Sequence, residues 1–413
     1  MGRNTFLNNL ENSFTFQMSL GAKELFHSNF LQWLSIIDWD KFLKILHKLS
    51  GVKQFWWEKQ HCSVEASVGA GKQPFRPANE NIEVRREYNH YDLSIYILVG
   101  FTNPRKGGQP TKKWQPVFML ENKVKSMPYQ KQLDDYANKV YEEWKKSFPA
   151  KERKTPKLNS NWQNKGITAI LLTLFEEITI NPSNVGDGNT LSWNICNYDI
   201  LSNVVRSMFS QINSKEKMVI DDYCTFIESL HLLSRTDDWK VSENDSYVTK
   251  MIGGGDEEKR LRISDLREKV HFERMLKIFE EKVEKSSLKS KCEHSYKGNA
   301  EKGKVYYETA FSRGTGIFQP FIIINDDYWL MIQLQGHQYR KSVIINKKDD
   351  KKMAAIIDKL KLTIWNDYNP QCHYGDRHKY VYSLPFDNKT VGNVLDDVIK
   401  DFETIISNIK SLK

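Results

Sequence analysis

Apolar residues recur with helical spacing over residues 19–50. Leu20, Leu31 and Leu34 form one stripe, and Phe26, Phe30, Trp33 and Ile37 form another, which predicts a helix. Trp39-Asp40 marks a break or the start of a second helix. The pattern then becomes strand-like: residues 81–88 and 91–99 predict two strands separated by Asn89-His90. A polar loop, F-T-N-P-R-K-G-G-Q-P-T-K-K-W-Q, leads into a third strand, P-V-F-M-L-E-N-K. Ser126-Met127-Pro128 opens a helix, because proline is tolerated in a first turn. A stripe of Tyr129, Leu133, Tyr136, Val140 and Trp144 carries that helix to about Phe148. G-I-T-A-I-L-L-T-L-F, residues 166–175, predicts a buried strand by its length and apolar content. Residues 194–198 predict a short strand running into a helix from Asp199, and helical spacing returns over 218–233.

The clearest linker is Met251-Ile252-Gly253-Gly254-Gly255-Asp256. It suggests two domains, 1–250 and 256–413, which suits 413 residues. Beyond it come a charged helix over 257–285 and a lysine-rich polar stretch to Lys304. Residues 306–346 predict antiparallel strands, with I-N-D-D-Y as the turn between F-I-I-I and W-L-M-I-Q-L. Helices over 351–362 and 391–412 complete an α+β half. The first half is expected to be α/β, and no internal repeat is visible.

Composition narrows the function. With 39% hydrophobic residues, 11 Trp, 18 Tyr and 21 Phe, sizeable cores can be buried, which excludes a disordered chain. A net charge of +9 favours an anionic partner, nucleic acid before an acidic membrane. The start, M-G-R-N-T-F-L-N-N-L, carries no signal-peptide pattern, and Phe6 stands where a myristoylation signal wants Ser or Thr. No apolar run reaches spanning length, so no membrane is expected. The five cysteines, Cys62, Cys196, Cys224, Cys292 and Cys372, form no C-x-x-C, which suits reduced thiols in a cytoplasm. His61-Cys62, Cys292 with His294, and Cys372-His373 match no zinc spacing. Val68-Gly69-Ala70-Gly71-Lys72-Gln73 lacks the spacing of a phosphate loop and its hydroxyl.

The charge at the end of the third strand is the candidate chemistry. E-x-K alone means little, since Glu152/Lys154, Glu257/Lys259 and Glu280/Lys282 repeat it in charged, solvated segments. Only Glu121 follows a buried-looking strand, where i and i+2 point together. Glu121 and Lys123 therefore share a face. A hairpin loop centred near residue 108 puts Asp92 opposite about residue 124, so two carboxylates and an amine converge. Close carboxylates call for a cation, and oxygen donors suit Mg²⁺. Gln132 and Tyr136 lie one turn apart on the next helix. Glu24 and His27 interrupt the apolar stripe of Leu20, Leu31 and Leu34. A histidine there fits an ordinary core, but an unpaired buried carboxylate is costly.

Taken together, K-E-L-F-H-S-N-F-L-Q-W-L, Y-D-L-S-I-Y-I, F-M-L-E-N-K-V-K and Q-L-D-D-Y resemble the PD-(D/E)XK nuclease superfamily over residues 20–200. Q-L-D-D-Y resembles the Q-x-x-x-Y element of its RecB-like branch. The first segment resembles the E-x-x-H-S-x-F-x-x-W-L opening of a largely uncharacterised bacterial branch. Tyr91 stands where the superfamily usually has proline. The resemblance implies a restriction-endonuclease-like core and hydrolysis of phosphodiester bonds, in DNA more than RNA. It implies that Asp92, Glu121, the Asn122 carbonyl and Glu24 hold Mg²⁺ or Mn²⁺. Lys123 would orient the attacking water, Gln132 and Tyr136 would position water or backbone, and His27 joins the candidate set. Lys125 and the loops 105–113 and 145–157 are candidate phosphate contacts. Residues 256–413 match nothing recognisable. Recognition, regulation, homodimer formation and capture of a partner protein are its candidate roles. Defence against foreign DNA is one use of such nucleases. The alternative is a nuclease fold that binds or assembles without turnover, and the intact Asp/Glu/Lys set weighs against it.

Overall fold

The computed structural model describes residues 2–58, 81–88, 91–101, 112–123, 130–147, 167–174, 183–185, 189–191, 193–251, 255–294, 301–312, 315–383, 386 and 388–412. The chain forms two compact units, Met1–Leu233 and Ser234–Lys413.

The first unit opens with three helices, the second and third of them started by capping side chains. Helix α1 covers Arg3–Asn12 and α2 covers Phe14–Ile37, with Ser13 accepting from Phe16 N–H at the start of α2. Asp38 accepts from Lys41 N–H and starts α3, Trp39–Ser50. That helix ends at Gly51, whose φ of 69° is left-handed, a conformation that costs glycine little. The apolar spacing had placed the first helix start at residue 19. Ser13 moves it to Phe14, because a capping hydroxyl sets a helix start independently of periodicity.

A five-stranded mixed sheet follows. It consists of β1 (Ile82–Tyr88), β2 (Tyr91–Phe101), β3 (Lys112–Lys123) and, after helix α4 (Gln130–Lys146), β4 (Thr168–Thr173). A small ribbon, β5 (Ser183–Val185) with β6 (Asn189–Leu191), precedes the last strand, β7 (Trp193–Asn197). The sheet order is β1-β2-β3-β4-β7, antiparallel from β1 to β3 and parallel from β3 to β7. Helices α5 (Tyr198–Met208) and α6 (Ser214–Ser234) close the unit. Helix α4 packs Leu133, Tyr136, Ala137, Val140 and Trp144 against Met119, Ala169 and Leu171. Helix α2 lies against β1, β2, β3 and α3. The sheet is thus flanked by helices, as the pattern of strand and helix periods predicts.

The second unit is a separate sheet-and-helix domain. Short helices α7 (Tyr247–Met251) and α8 (Asp256–Arg260) precede α9 (Ser264–Glu284). Residues 257–285 had read as one helix, but Arg262, at φ 54°, breaks it between α8 and α9. A nine-stranded sheet contains β8 (Cys292–His294), β9 (Val305–Tyr307), β10 (Thr309–Ser312), β11 (Thr315–Phe318), β12 (Phe321–Ile323), β13 (Tyr328–Gln335) and β14 (Gln338–Ile345). After α10 (Asp350–Thr363) it gains β15 (Cys372–Tyr374) and β16 (His378–Ser383). Asn325 Oδ1 accepts from Asp327 and Tyr328 N–H and forms the turn between β12 and β13. Helices α11 (Val391–Ser407) and α12 (Ile409–Leu412) finish the chain. Among the described residues, no helix is long and apolar enough to cross a membrane.

Candidate active site

The apolar run of β3 ends in charge at the carboxyl end of the strand. Glu121, Asn122 and Lys123 lie beside Leu171, Leu172 and Thr173 of β4. Carboxyl ends of parallel strands are where open α/β sheets place their ligands. All three residues are buried: Glu121 is 2% exposed, Asn122 0% and Lys123 4%. Alternation along the strand puts Glu121 and Lys123 on one face and Asn122 on the other. Lys123 Nζ lies 2.6 Å from Glu121 Oε1. An ammonium and a carboxylate both taken out of water need each other, because removing one strands the other charge.

Asp92 comes to the same strand end. The register pairs Leu93 with Leu120, and one step further brings Asp92 opposite Glu121. Asp92 is buried, and its Oδ2 accepts from Asn122 N–H at 2.5 Å. That charge-assisted bond fixes the carboxylate against the backbone of the E-N-K segment.

Helix α4 adds the next pair. Gln132 Nε2 donates to Tyr136 Oη at 2.6 Å, as their one-turn spacing predicts. The Tyr136 phenol is pushed above its ordinary pKa, first by burial and then by Glu121, with Asp92 adding to the effect. Gln132 and Lys123 pull it the other way. Tyr136 therefore senses all three charged residues of the strand end. Its ring also packs edge-on against Tyr91, 5.7 Å away.

His27 takes a different place. It is buried in an aromatic cage, its Nδ1 3.0 Å from Tyr223 Oη, with Tyr198, Tyr223 and Phe226 around the ring. Tyr198 donates in turn to Asn122 Oδ1. The histidine thus belongs with the Asn122 side chain. Tyr198 is a residue the sequence reading did not single out. Its signal was present in the W-N-I-C-N-Y-D-I segment, where a tyrosine opens a helix directly after a strand parallel to β4. Glu24 lies on α2, but its side chain is outside the described residues. Lys125, residues 102–111 and residues 148–157 also fall outside them.

The strand end offers hard oxygen donors, namely the Asp92 and Glu121 carboxylates and the Asn122 carbonyl. Such donors suit Mg²⁺ or Mn²⁺. The Lys123 ammonium beside Glu121 shows that a positive charge is accommodated there. Among the described residues, no group of three or more His, Cys, Asp or Glu side chains is placed to hold a metal ion.

A family model described as PD-(D/E)XK nuclease superfamily matches residues 11–225. No curated protein and no solved structure matches the chain.

Proposed function

The chain belongs to the PD-(D/E)XK nuclease superfamily, and from that premise we propose that it is a metal-dependent nuclease acting on DNA in preference to RNA. The observation that carries this reading is the buried Lys123–Glu121 pair, 2.6 Å apart, on a strand end where Asp92 is fixed by Asn122 N–H. A structural core has little use for two carboxylates and an amine at one buried strand end, since the burial costs more than apolar packing would.

In this reading Asp92 and Glu121 hold the divalent ion, with the Asn122 carbonyl, and Glu24 completes the set. Bound there, Mg²⁺ or Mn²⁺ supplies Lewis acidity at the scissile phosphate and neutralises the carboxylates. Lys123 orients the attacking water and stabilises charge that develops on the phosphate oxygens. Tyr136, held by Gln132, positions the water or the backbone and keeps its proton well above neutral pH. The Gln132/Tyr136 pair supports assignment to the RecB-like branch. His27 supports the Asn122 side of the site through Tyr198. Defence against foreign DNA in a bacterial cytoplasm is a role such an activity serves. A recognition or regulatory role for the second unit belongs to the same proposal.

A second reading is a nuclease fold that binds nucleic acid without cutting it. A cleavage panel separates the two. Single- and double-stranded DNA and RNA are incubated with Mg²⁺, with Mn²⁺ and with chelator. We expect divalent-dependent cutting that Lys123→Ala abolishes while binding persists. Unchanged cutting by Lys123→Ala would falsify the assignment, and binding without cutting by the wild type would favour the second reading.

A further inference from the structure

The sheet of the second unit has two unlike faces. On one, Leu330, Ile332 and Val343 join a core shared with α9, α10 and α11. On the other, the hydrophobic cluster is Tyr306, Phe321 and Met331 with Ile323, Trp329 and Ile344, drawn from strands alone.

Strand register arranges this second face in rows. Trp329 pairs with Ile344, Ile344 with His378, and His378 with Tyr374, so one row presents three rings. The next row carries Tyr380, and the one after it Arg340 beside Tyr382. Tyr374 is 71% exposed and Tyr382 37%. The rings touch in sequence: His378 lies 6.4 Å from Tyr374 and 5.4 Å from Tyr380. A cleft of about 540 Å³ opens at the Trp329 row, rimmed by Arg377 and by Lys348, whose Nζ lies 3.1 Å from Asp376 Oδ2 on the same rim.

Arg340 is held in an unusual way. Its Nε donates to Gln338 Oε1 at 2.7 Å, and its Nη1 donates to Gln333 and Gln335 Oε1 at 2.8 and 2.6 Å. The guanidinium lies 5.3 Å from the Tyr380 ring. These acceptors are neutral amides, so they orient the cation without cancelling its charge. On β12, β13, β14, β15 and β16, the described positions facing this side include no Asp or Glu. Carboxylates begin beyond them, the nearest being Asp376 in the turn between β15 and β16, which is paired with Lys348. Glu293 is paired with Lys304 at 2.5 Å, and Glu308 accepts from Gln319 Nε2 at 2.6 Å.

Past the Trp329 row this face turns to Ser342, Gln333 and Arg340, which interrupts the apolar patch that a protein partner would use, and an acidic chain would leave the flat faces of the rings unfilled. A polyanion with flat π-faces uses both features, because bases stack on aromatic rings while phosphates meet the cations. We infer that this face binds single-stranded nucleic acid, with bases on Trp329, Tyr374, Tyr380 and Tyr382 and phosphates near Arg340 and Arg377. Its use as the strand-holding surface of a nuclease rests on the function proposed above.

The test is fluorescence anisotropy on the full chain in chelator, where no cutting occurs. The probes are labelled single-stranded DNA, single-stranded RNA and duplex DNA of about 12 nucleotides. Both single strands, or the one with the matching sugar, bind more tightly than duplex. Tyr374→Ala and Tyr382→Ala each weaken single-strand binding about 5- to 10-fold. Both side chains are exposed, so their loss leaves the fold intact, and matching thermal melts verify this. Arg340→Gln weakens binding and lowers its salt dependence. Wild-type affinity in the Tyr374→Ala/Tyr382→Ala double variant overturns the inference, and so does a preference for duplex. Either result leaves the nuclease reading standing. Ring-dependent binding by a wild type that cuts nothing would instead sink the nuclease reading alone.

Discussion

At the scale of single residues, the Lys123–Glu121 pair does two jobs that can be separated. In chelator the ammonium is the close cationic partner of a buried carboxylate. Lys123→Ala then leaves that charge buried and costs roughly 3–5 kcal/mol, as removing one half of a buried pair does. Differential scanning calorimetry in chelator should show the lowered melting temperature. Adding Mg²⁺ or Mn²⁺ should recover part of the loss, and by more than it stabilises the wild type, because the ion replaces the missing cation. Activity should not recover: turnover stays down by about 10²–10³-fold, the usual loss when a charge-stabilising donor is removed. A metal response equal in both proteins would argue against an ion site at Glu121. Tyr136→Phe is the milder change. It removes the hydroxyl that accepts from Gln132 and keeps the ring against Tyr91, so cleavage should drop while the melting temperature moves little.

At the scale of elements, the site was legible where strand alternation alone decides it. Glu121 and Lys123 share a face because they are two apart on β3, and Gln132 and Tyr136 meet because they are four apart on α4. The partner of Asp92 was less legible. A loop centred at residue 108 put Asp92 against residue 124, but β2 ends at Phe101 and β3 begins at Lys112, which moves the pairing down to Glu121. The place of His27 was not legible at all, since its cage is built by Tyr198, Tyr223 and Phe226, far along the chain. Strands β8, β15 and β16 also escaped notice. At three to six residues each, they are too short to show a period.

Helix α9 buries a carboxyl group, Glu268, among its apolar contacts. Glu268, 7% exposed, has its pKa pushed up to about 7, chiefly by burial, with the Gly316 N–H opposing and Asp265 adding to the rise. The folded chain therefore binds this proton more tightly than the unfolded one, whose ordinary value is 4.5. The stabilisation is complete below about pH 4.5 and is lost as pH rises toward 7, by at most about 3 kcal/mol. Glu268→Gln should flatten that part of the pH–stability curve, measured by urea melts between pH 4.5 and 7.5. An identical curve would show that the carboxyl is not shifted. Gly316 of β11 sits against the same helix. A Cβ there would come within 2.3 Å of the Phe272 ring, so Gly316→Ala should destabilise the unit by about 1–3 kcal/mol through overpacking.

At the scale of the whole molecule, the charge of +9 and the two candidate nucleic-acid surfaces make different demands on salt. Phosphate contacts release counterions, so affinity falls with salt at a slope of about 0.7 per phosphate for single strands and 0.9 for duplex. Base stacking on rings releases none. Binding of single strands by the full chain in chelator should therefore keep a residual affinity at high salt, and binding of duplex should not. Tyr374→Ala/Tyr382→Ala should lower the single-strand line without changing its slope, because it removes stacking and no cation. Arg340→Gln should make the line shallower by about one phosphate. Titrations from low to high KCl measure both quantities on one protein. If the tyrosine variants changed the slope instead, binding would be mainly electrostatic and the rings of the open face would be bystanders to the basic charge.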